Sequence, residues 1–120
     1  MMNLQNAKLQ NCFKLSSKVT VYVPATSNVS EAIDNTEFVK STASLLSSLF
    51  GGATSTPALG YWMSNSAGLV AENTTIVFAY AADTDLQNGI SAVVDHCEKL
   101  KADMGQEAVA LEINGEMYFI

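Results

Sequence analysis

The apolar side chains Leu86, Ile90, Val93, Val94, Cys97, Leu100 and Met104 recur at the spacing of one helical face, and Gly105 follows them as a stop. A helix over about 85–104 with a single apolar stripe must lie on a partner surface, because its other face carries Asp95, Glu98, Lys99 and Asp103 and belongs in water. Asp83 or Asp85 is placed to cap its start. This one element excludes an all-β fold and asks where the rest of the chain supplies a surface for it.

The surface comes from segments of period two. In KVTVYVP, residues 18–24, Val19, Val21 and Val23 alternate with Thr20 and Tyr22, and Pro24 closes the strand. In the β-prone run 69–81, Ile76, Phe78 and Tyr80 share one side, with Thr74 and Glu72 continuing it, while Thr75, Val77 and Ala79 share the other. Between the two, residues 37–50 form a helix with Phe38, Thr42, Leu45, Leu46 and Leu49 on its stripe, capped by Asn35 or Thr36 and ended by Gly51. Residues 51–60, GGATSTPALG, read as a loop before a short strand GYWM, which forms a hairpin with 69–81. The tail AVALEINGEMYFI reads as two short strands around an Asn114-Gly115 turn of type I′.

The order β-α-β-β-α-β-β predicts an α+β, ferredoxin-like domain over 18–120 with an additional C-terminal hairpin strand, both helices lying on one face of an antiparallel sheet. Residues 1–17 read as an N-terminal arm. The second sheet face, which includes Thr20 or Tyr22, is not uniformly polar and needs a cover. The arm or a second copy could provide it, and a homodimer or larger oligomer is expected.

Charge limits the partners. The chain of 120 residues has twelve acidic side chains against six basic ones, giving a net charge of -6, and it contains no arginine. Direct binding of nucleic acid or an anionic membrane is disfavoured. No apolar run reaches the roughly eighteen residues of a spanning helix, and the N-terminal segment lacks the apolar core of a secretory signal. A cytoplasmic protein is expected. Cys12 and Cys97 form no CxxC pair and read as small buried hydrophobes.

Little in the sequence assembles into a catalytic device. His96, the one histidine, falls mid-helix beside the buried stripe, and Asp95 points about 100° away from it around the helix. It reads as a boundary histidine packed against the sheet edge. Asp83 and Asp85 read as a cap, and Glu112 and Glu116 as solubilising groups at a hairpin end. No metal or other cofactor is expected. The Gly/Thr/Ser loop beside Tyr61 and Trp62 supports two readings: a helix cap leading to a core tryptophan, or a loop that holds a ligand or partner. Glu72 is either an exposed hairpin glutamate or a carboxylate beside the aromatic groups Tyr61, Trp62 and Tyr80.

The block from KVTVYVPAT through LFGGATSTPALGYW to Gly68 and Glu72 resembles small uncharacterised proteins of phages and mobile elements of Gram-positive bacteria. The resemblance covers at most residues 18–82 and brings no catalytic residues with it. It implies a setting in which short acidic proteins inhibit host defences, anti-CRISPR proteins among them. The expectation is therefore a non-enzymatic, acidic binding protein that docks on a basic protein surface through Asp95, Glu98 and Asp103. The alternative is a small-molecule-binding homo-oligomer with its ligand near Tyr61, Trp62 and Glu72.

Overall fold

The computed structural model describes residues 4–27 and 31–120. Residues 1–3 of the expected arm, and 28–30 within the turn-rich stretch before the first long helix, lie outside them.

β1 (Ser17–Pro24) buries Val19, Val21 and Val23 on one side and turns Thr20 and Tyr22 to the other. Its neighbours are β5 (Gly68–Ala81) and β6 (Ala110–Ile113), both antiparallel to it. With β4 (Thr54–Ser64) and β7 (Glu116–Phe119) at the edges, they make a five-stranded antiparallel sheet in the order β4-β5-β1-β6-β7. Two short strands, β2 (Thr26–Ser27) and β3 (Glu31–Ala32), pair separately. The helices α2 (Thr36–Phe50) and α3 (Asp83–Asp103) pack on the Val21 side of the sheet, and a single turn, α1 (Ala7–Gln10), precedes β1. The fold is mixed α+β.

The core lies between that sheet face and the two helices. Val19, Val21, Val23, Val77, Ala79 and Leu111 meet Leu46, Phe50, Val93, Cys97 and Leu100 there. Gly89 lets α3 approach α2 closely, since a Cβ at this position would come within 3.3 Å of the Phe50 ring and 3.4 Å of the Leu49 methyl groups. At the start of α3, Asp83 accepts hydrogen bonds from Ser17 at 2.6 Å and Ser16 at 3.1 Å. It therefore ties the helix to β1 from inside the first turn, and the capping position itself is Ala82. Asn35 does occupy the capping position of α2, with its carbonyl accepting from the Val39 N–H at 2.9 Å, but its side chain makes no cap bond. Its amide donates to the Val23 and Pro24 carbonyls, and Asp34 receives the Thr36 N–H.

Three expectations need correction. Residues 54–60 are strand rather than loop, so β4 runs straight through Pro57. An edge strand tolerates a proline because one side of its backbone needs no ladder bond. Cys12 is exposed, because α1 buries no residue against the sheet. The arm also leaves the second sheet face uncovered: Phe13 is 87% exposed and Leu4 63%.

The β4-β5 ribbon projects past the end of β1. Pairing of β5 with β1 stops at Pro24↔Thr74, whereas β4 and β5 stay paired down to Ser64↔Gly68. Side chains of the projecting part are consequently open on both faces. At the other edge, Asn114 (φ 53°) and Gly115 (φ 86°) form the two-residue turn that joins β6 to β7, as the Asn-Gly pair predicts.

Candidate functional site

Strand alternation decides which side chains share a face. Across the β4-β5 ladder, Gly60 lies opposite Glu72 and Trp62 opposite Val70, which puts Trp62, Val70 and Glu72 on the open face with Tyr22, Ile76 and Phe78. Tyr61, one residue on, points to the other face. Tyr80 shares the open face but lies at the far end of β5. Of the expected grouping of Tyr61, Trp62, Tyr80 and Glu72, Tyr80 drops out; Trp62 and Glu72 are diagonal neighbours on adjacent strands, and Tyr61 reaches the same hollow from the ribbon's edge.

These two residues wall a groove of about 370 Å³ where β1 ends. Tyr22 and Pro24 from β1, Thr74 from β5, Gln106 from the loop after α3, Ala110 from β6 and Phe119 from β7 line it with them. The volume is within the range of small-ligand sites. Gly60 keeps it open: directly across from Glu72 there is no side chain, and a Cβ there would meet only the Glu72 carbonyl oxygen at 3.7 Å. Trp62 is half exposed, so it is a wall of the groove and not a core residue. Glu72 is partly buried, not the freely exposed hairpin glutamate of the simpler reading.

Tyr22 is held in place from above. Its hydroxyl donates to Glu112 Oε1 at 3.3 Å. Burial, then the Glu112 charge, then this bond raise the phenol above its ordinary range, so it stays a neutral donor. Glu112 accordingly faces the sheet and does not act as a mere turn charge. Glu107 lies at the groove's lower rim with Glu72, Gln106 and Phe119. Gln106 is fixed by donating to the Thr26 carbonyl at 2.7 Å.

Elsewhere the expected site residues separate. Asp95, Glu98 and Asp103 are all exposed on α3, but Asp103 is about 140° around the helix from Glu98. Lys99 pairs with Asp103 at 2.6 Å, which removes part of the negative charge from this face. His96 does not meet the sheet edge. It packs against α2, where its Nε2 lies 2.8 Å from the Thr42 hydroxyl. Burial, with Lys99 adding to it, holds its ring below the ordinary imidazole range. Cys97 is buried and its thiol is pushed up to about 11. Among the described residues no group of three or more His, Cys, Asp and Glu side chains could hold a metal ion, and no helix is long and apolar enough to cross a membrane.

A larger hollow of about 550 Å³ lies at the opposite end of the sheet, between Phe13, Phe50, Gly52, Phe78 and Tyr80. No carboxylate, histidine, lysine or cysteine lines it. A smaller hollow of about 310 Å³ between α2 and α3 holds Glu37, Phe38, Ser41, His96 and Asp103, but Lys99 shares it. The Trp62-Glu72 groove combines aromatic walls with a carboxylate and a hydroxyl without a lysine, and it is the candidate site.

The chain has the fold of a phage SAM lyase. A structure of a phage SAM lyase in complex with S-methyl-5'-thioadenosine superposes with a TM-score of 0.64 at 19% identity, over 90% of this chain and 93% of that one. A phage SAM lyase in its apo state gives 0.62 at 19% identity, over 88% and 89%. No family model and no curated protein matches the sequence. At this identity the likeness establishes the fold. It also overturns the expectation of a non-enzymatic protein, because the neighbour is an enzyme whose chain this fold covers almost completely. The alternative expectation of a ligand near Tyr61, Trp62 and Glu72 names three residues of this groove, whereas Tyr22, Gln106, Ala110 and Phe119, which come from distant segments, carry no sequence signal.

Proposed function

We propose that the chain is a SAM lyase, acting in the groove between Trp62, Glu72, Tyr22 and Phe119. The observation that carries this reading is the groove's chemistry. An aromatic wall and a carboxylate face each other on one surface, no lysine lines it, and the chain has no arginine. S-adenosylmethionine offers the matching groups, an adenine ring to stack and a sulfonium cation to attract. The complex of the structural neighbour with S-methyl-5'-thioadenosine supports the same ligand class.

That product retains the adenosine, the sulfur and the methyl group. The bond broken is then the one from sulfur to the four-carbon amino-acid chain, and sulfur keeps the electron pair as a neutral thioether. The amino-acid fragment can leave by losing a proton or by closing onto its own carboxylate. Neither route needs a protein nucleophile, which fits a groove without serine, cysteine or histidine. What the protein provides is binding in one conformation and a pocket for the charge.

Two further points support the reading. The strand order, with α2 and α3 as the two crossovers, suits a ferredoxin-like fold with an added terminal strand. The phage origin of both neighbours supports a phage or mobile-element setting for this chain too. As partner, a second copy is the natural cover for the sheet. Trp62, Tyr80, Met117 and Phe119 are exposed on the open face, and Leu59, Tyr61, Met63 and Leu69 on the other side of the projecting ribbon, whereas no large apolar side chain is exposed on α2 or α3 among the described residues. Light scattering on the purified protein tests this, with a homodimer or larger species expected and a monomer excluding it.

The test of the activity is direct. Purified protein incubated with S-adenosylmethionine should release S-methyl-5'-thioadenosine, followed by chromatography and mass spectrometry, and Glu72→Gln and Trp62→Ala should each slow it at least tenfold. A folded wild-type protein that leaves the substrate intact refutes the proposal.

A further inference from the structure

We infer that the groove sorts its ligands by charge at sulfur, with Glu72 retaining the sulfonium and letting go of the thioether that the reaction forms. This rests on the proposed lyase activity and adds to it a reason for one-way turnover.

The charges around the groove are one-sided. Glu72 lines it, Glu107 stands in the adjoining hollow that shares Trp62, Glu72 and Phe119 with it, and Glu112 lies just behind Tyr22. The lysines are elsewhere: Lys8 and Lys14 on the arm, Lys40 on α2, Lys99 and Lys101 on α3. Lys18, at the near end of β1, is held 4.5 Å above the Phe78 ring and 5.5 Å from that of Tyr80, toward the opposite end of the sheet. No cation competes for the Glu72 carboxylate among the residues that line the groove.

Breaking the carbon–sulfur bond leaves both electrons on sulfur, whose formal charge falls from +1 to zero. The adenosine keeps its contacts with Trp62 and the groove floor. The attraction to Glu72 and the cation–π contact with Trp62 vanish in the same step. Binding of substrate over product is thus set by a charge that the chemistry itself removes. In a half-open groove the difference is on the order of ten- to a hundredfold in affinity, the part of a close charge pair's attraction that solvent screening leaves.

The experiment compares two ligands that are not cleaved, by calorimetry on wild-type protein and on Glu72→Gln. One is S-adenosylhomocysteine, the neutral thioether. The other is sinefungin, in which an ammonium group on carbon replaces the methylated sulfonium. Wild type is expected to bind sinefungin at least tenfold more tightly, with that preference shrinking as salt is raised. In Glu72→Gln the two affinities should come within threefold of each other. Glu112→Gln, whose carboxylate lies behind Tyr22, should keep most of the preference, which separates the role of Glu72 from general negative charge. Equal affinities in wild type, or an unchanged ratio in Glu72→Gln, overturn the inference while leaving the lyase proposal standing if S-adenosylmethionine is still cleaved. Absence of both binding and cleavage overturns the two together.

Discussion

Replacing Thr42 by valine removes one oxygen from the most enclosed polar contact between the two long helices. Thr42 is 0% exposed. Its hydroxyl donates to the Phe38 carbonyl at 2.8 Å, so its proton is used and the 2.8 Å contact with His96 has the ring Nε2–H as donor. Valine preserves the branched shape and leaves that N–H without a partner in a half-buried site. A donor stranded in this way costs about 1–3 kcal/mol, which for a chain of this size lowers Tm by about 4–12 °C. Urea denaturation at pH 7.5 measures the loss directly, with the slope unchanged and the midpoint lowered. Thr42→Val combined with His96→Leu removes both polar partners, and its loss of stability should be smaller than the sum of the two single losses. pH supplies a second axis. The folded state lowers the His96 pKa, so its contribution is present above the ordinary value of 6.5 and is lost as pH falls below it. Wild type should therefore lose more stability between pH 7.5 and 5.5 than the double variant does. A Thr42→Val protein within 0.5 kcal/mol of wild type, or strictly additive variants, would refute the reasoning.

Three other outcomes follow from particular contacts. Gly60→Val places a branched side chain across from Glu72, where only one backbone oxygen lies within 4 Å; the protein should keep its Tm while cleavage of S-adenosylmethionine falls at least tenfold. Gly89→Val forces α3 off α2, where a Cβ alone already stands 3.3 Å from Phe50, and the overpacking should cost about 1–3 kcal/mol in urea denaturation. Cys12 is exposed, and Cys97 is buried with its thiol pushed up to about 11. A chromogenic disulfide reagent at pH 8 should titrate one thiol quickly and the second only when the protein unfolds; two fast thiols would contradict the burial.

The elements themselves were legible because each carries its own periodicity. The stripe from Leu86 to Met104 forms α3, the alternation of Val19, Val21 and Val23 forms β1, and Asn114-Gly115 makes the turn it predicts. Residues 54–60 were not legible. Gly, Pro, Ser and Thr locally favour a loop, and the ladder with β5 overrides that preference on an edge where a missing N–H does no harm. Cys12 departs for the opposite reason: the tendency of cysteine to be buried has no force beside a helical turn that buries none of its residues.

The candidate site shows where local information ends. Strand parity placed Glu72 on the same side as Phe78, and that much was readable in the sequence. Whether that side met the helices or remained open depended on which of two similar apolar faces α2 and α3 would cover. They covered the valines, whose compact branched side chains pack closely beneath a helix, and left Tyr22, Trp62 and Phe119 on the other face. The sequence by itself determined an acidic, arginine-free α+β domain in which no nucleophile meets a base. Only the tertiary structure brought Trp62 from β4, Glu72 from β5, Tyr22 from β1 and Phe119 from β7 around one groove. Residues up to 97 positions apart in the chain meet there because strand order, which no local pattern encodes, decides which strands become neighbours.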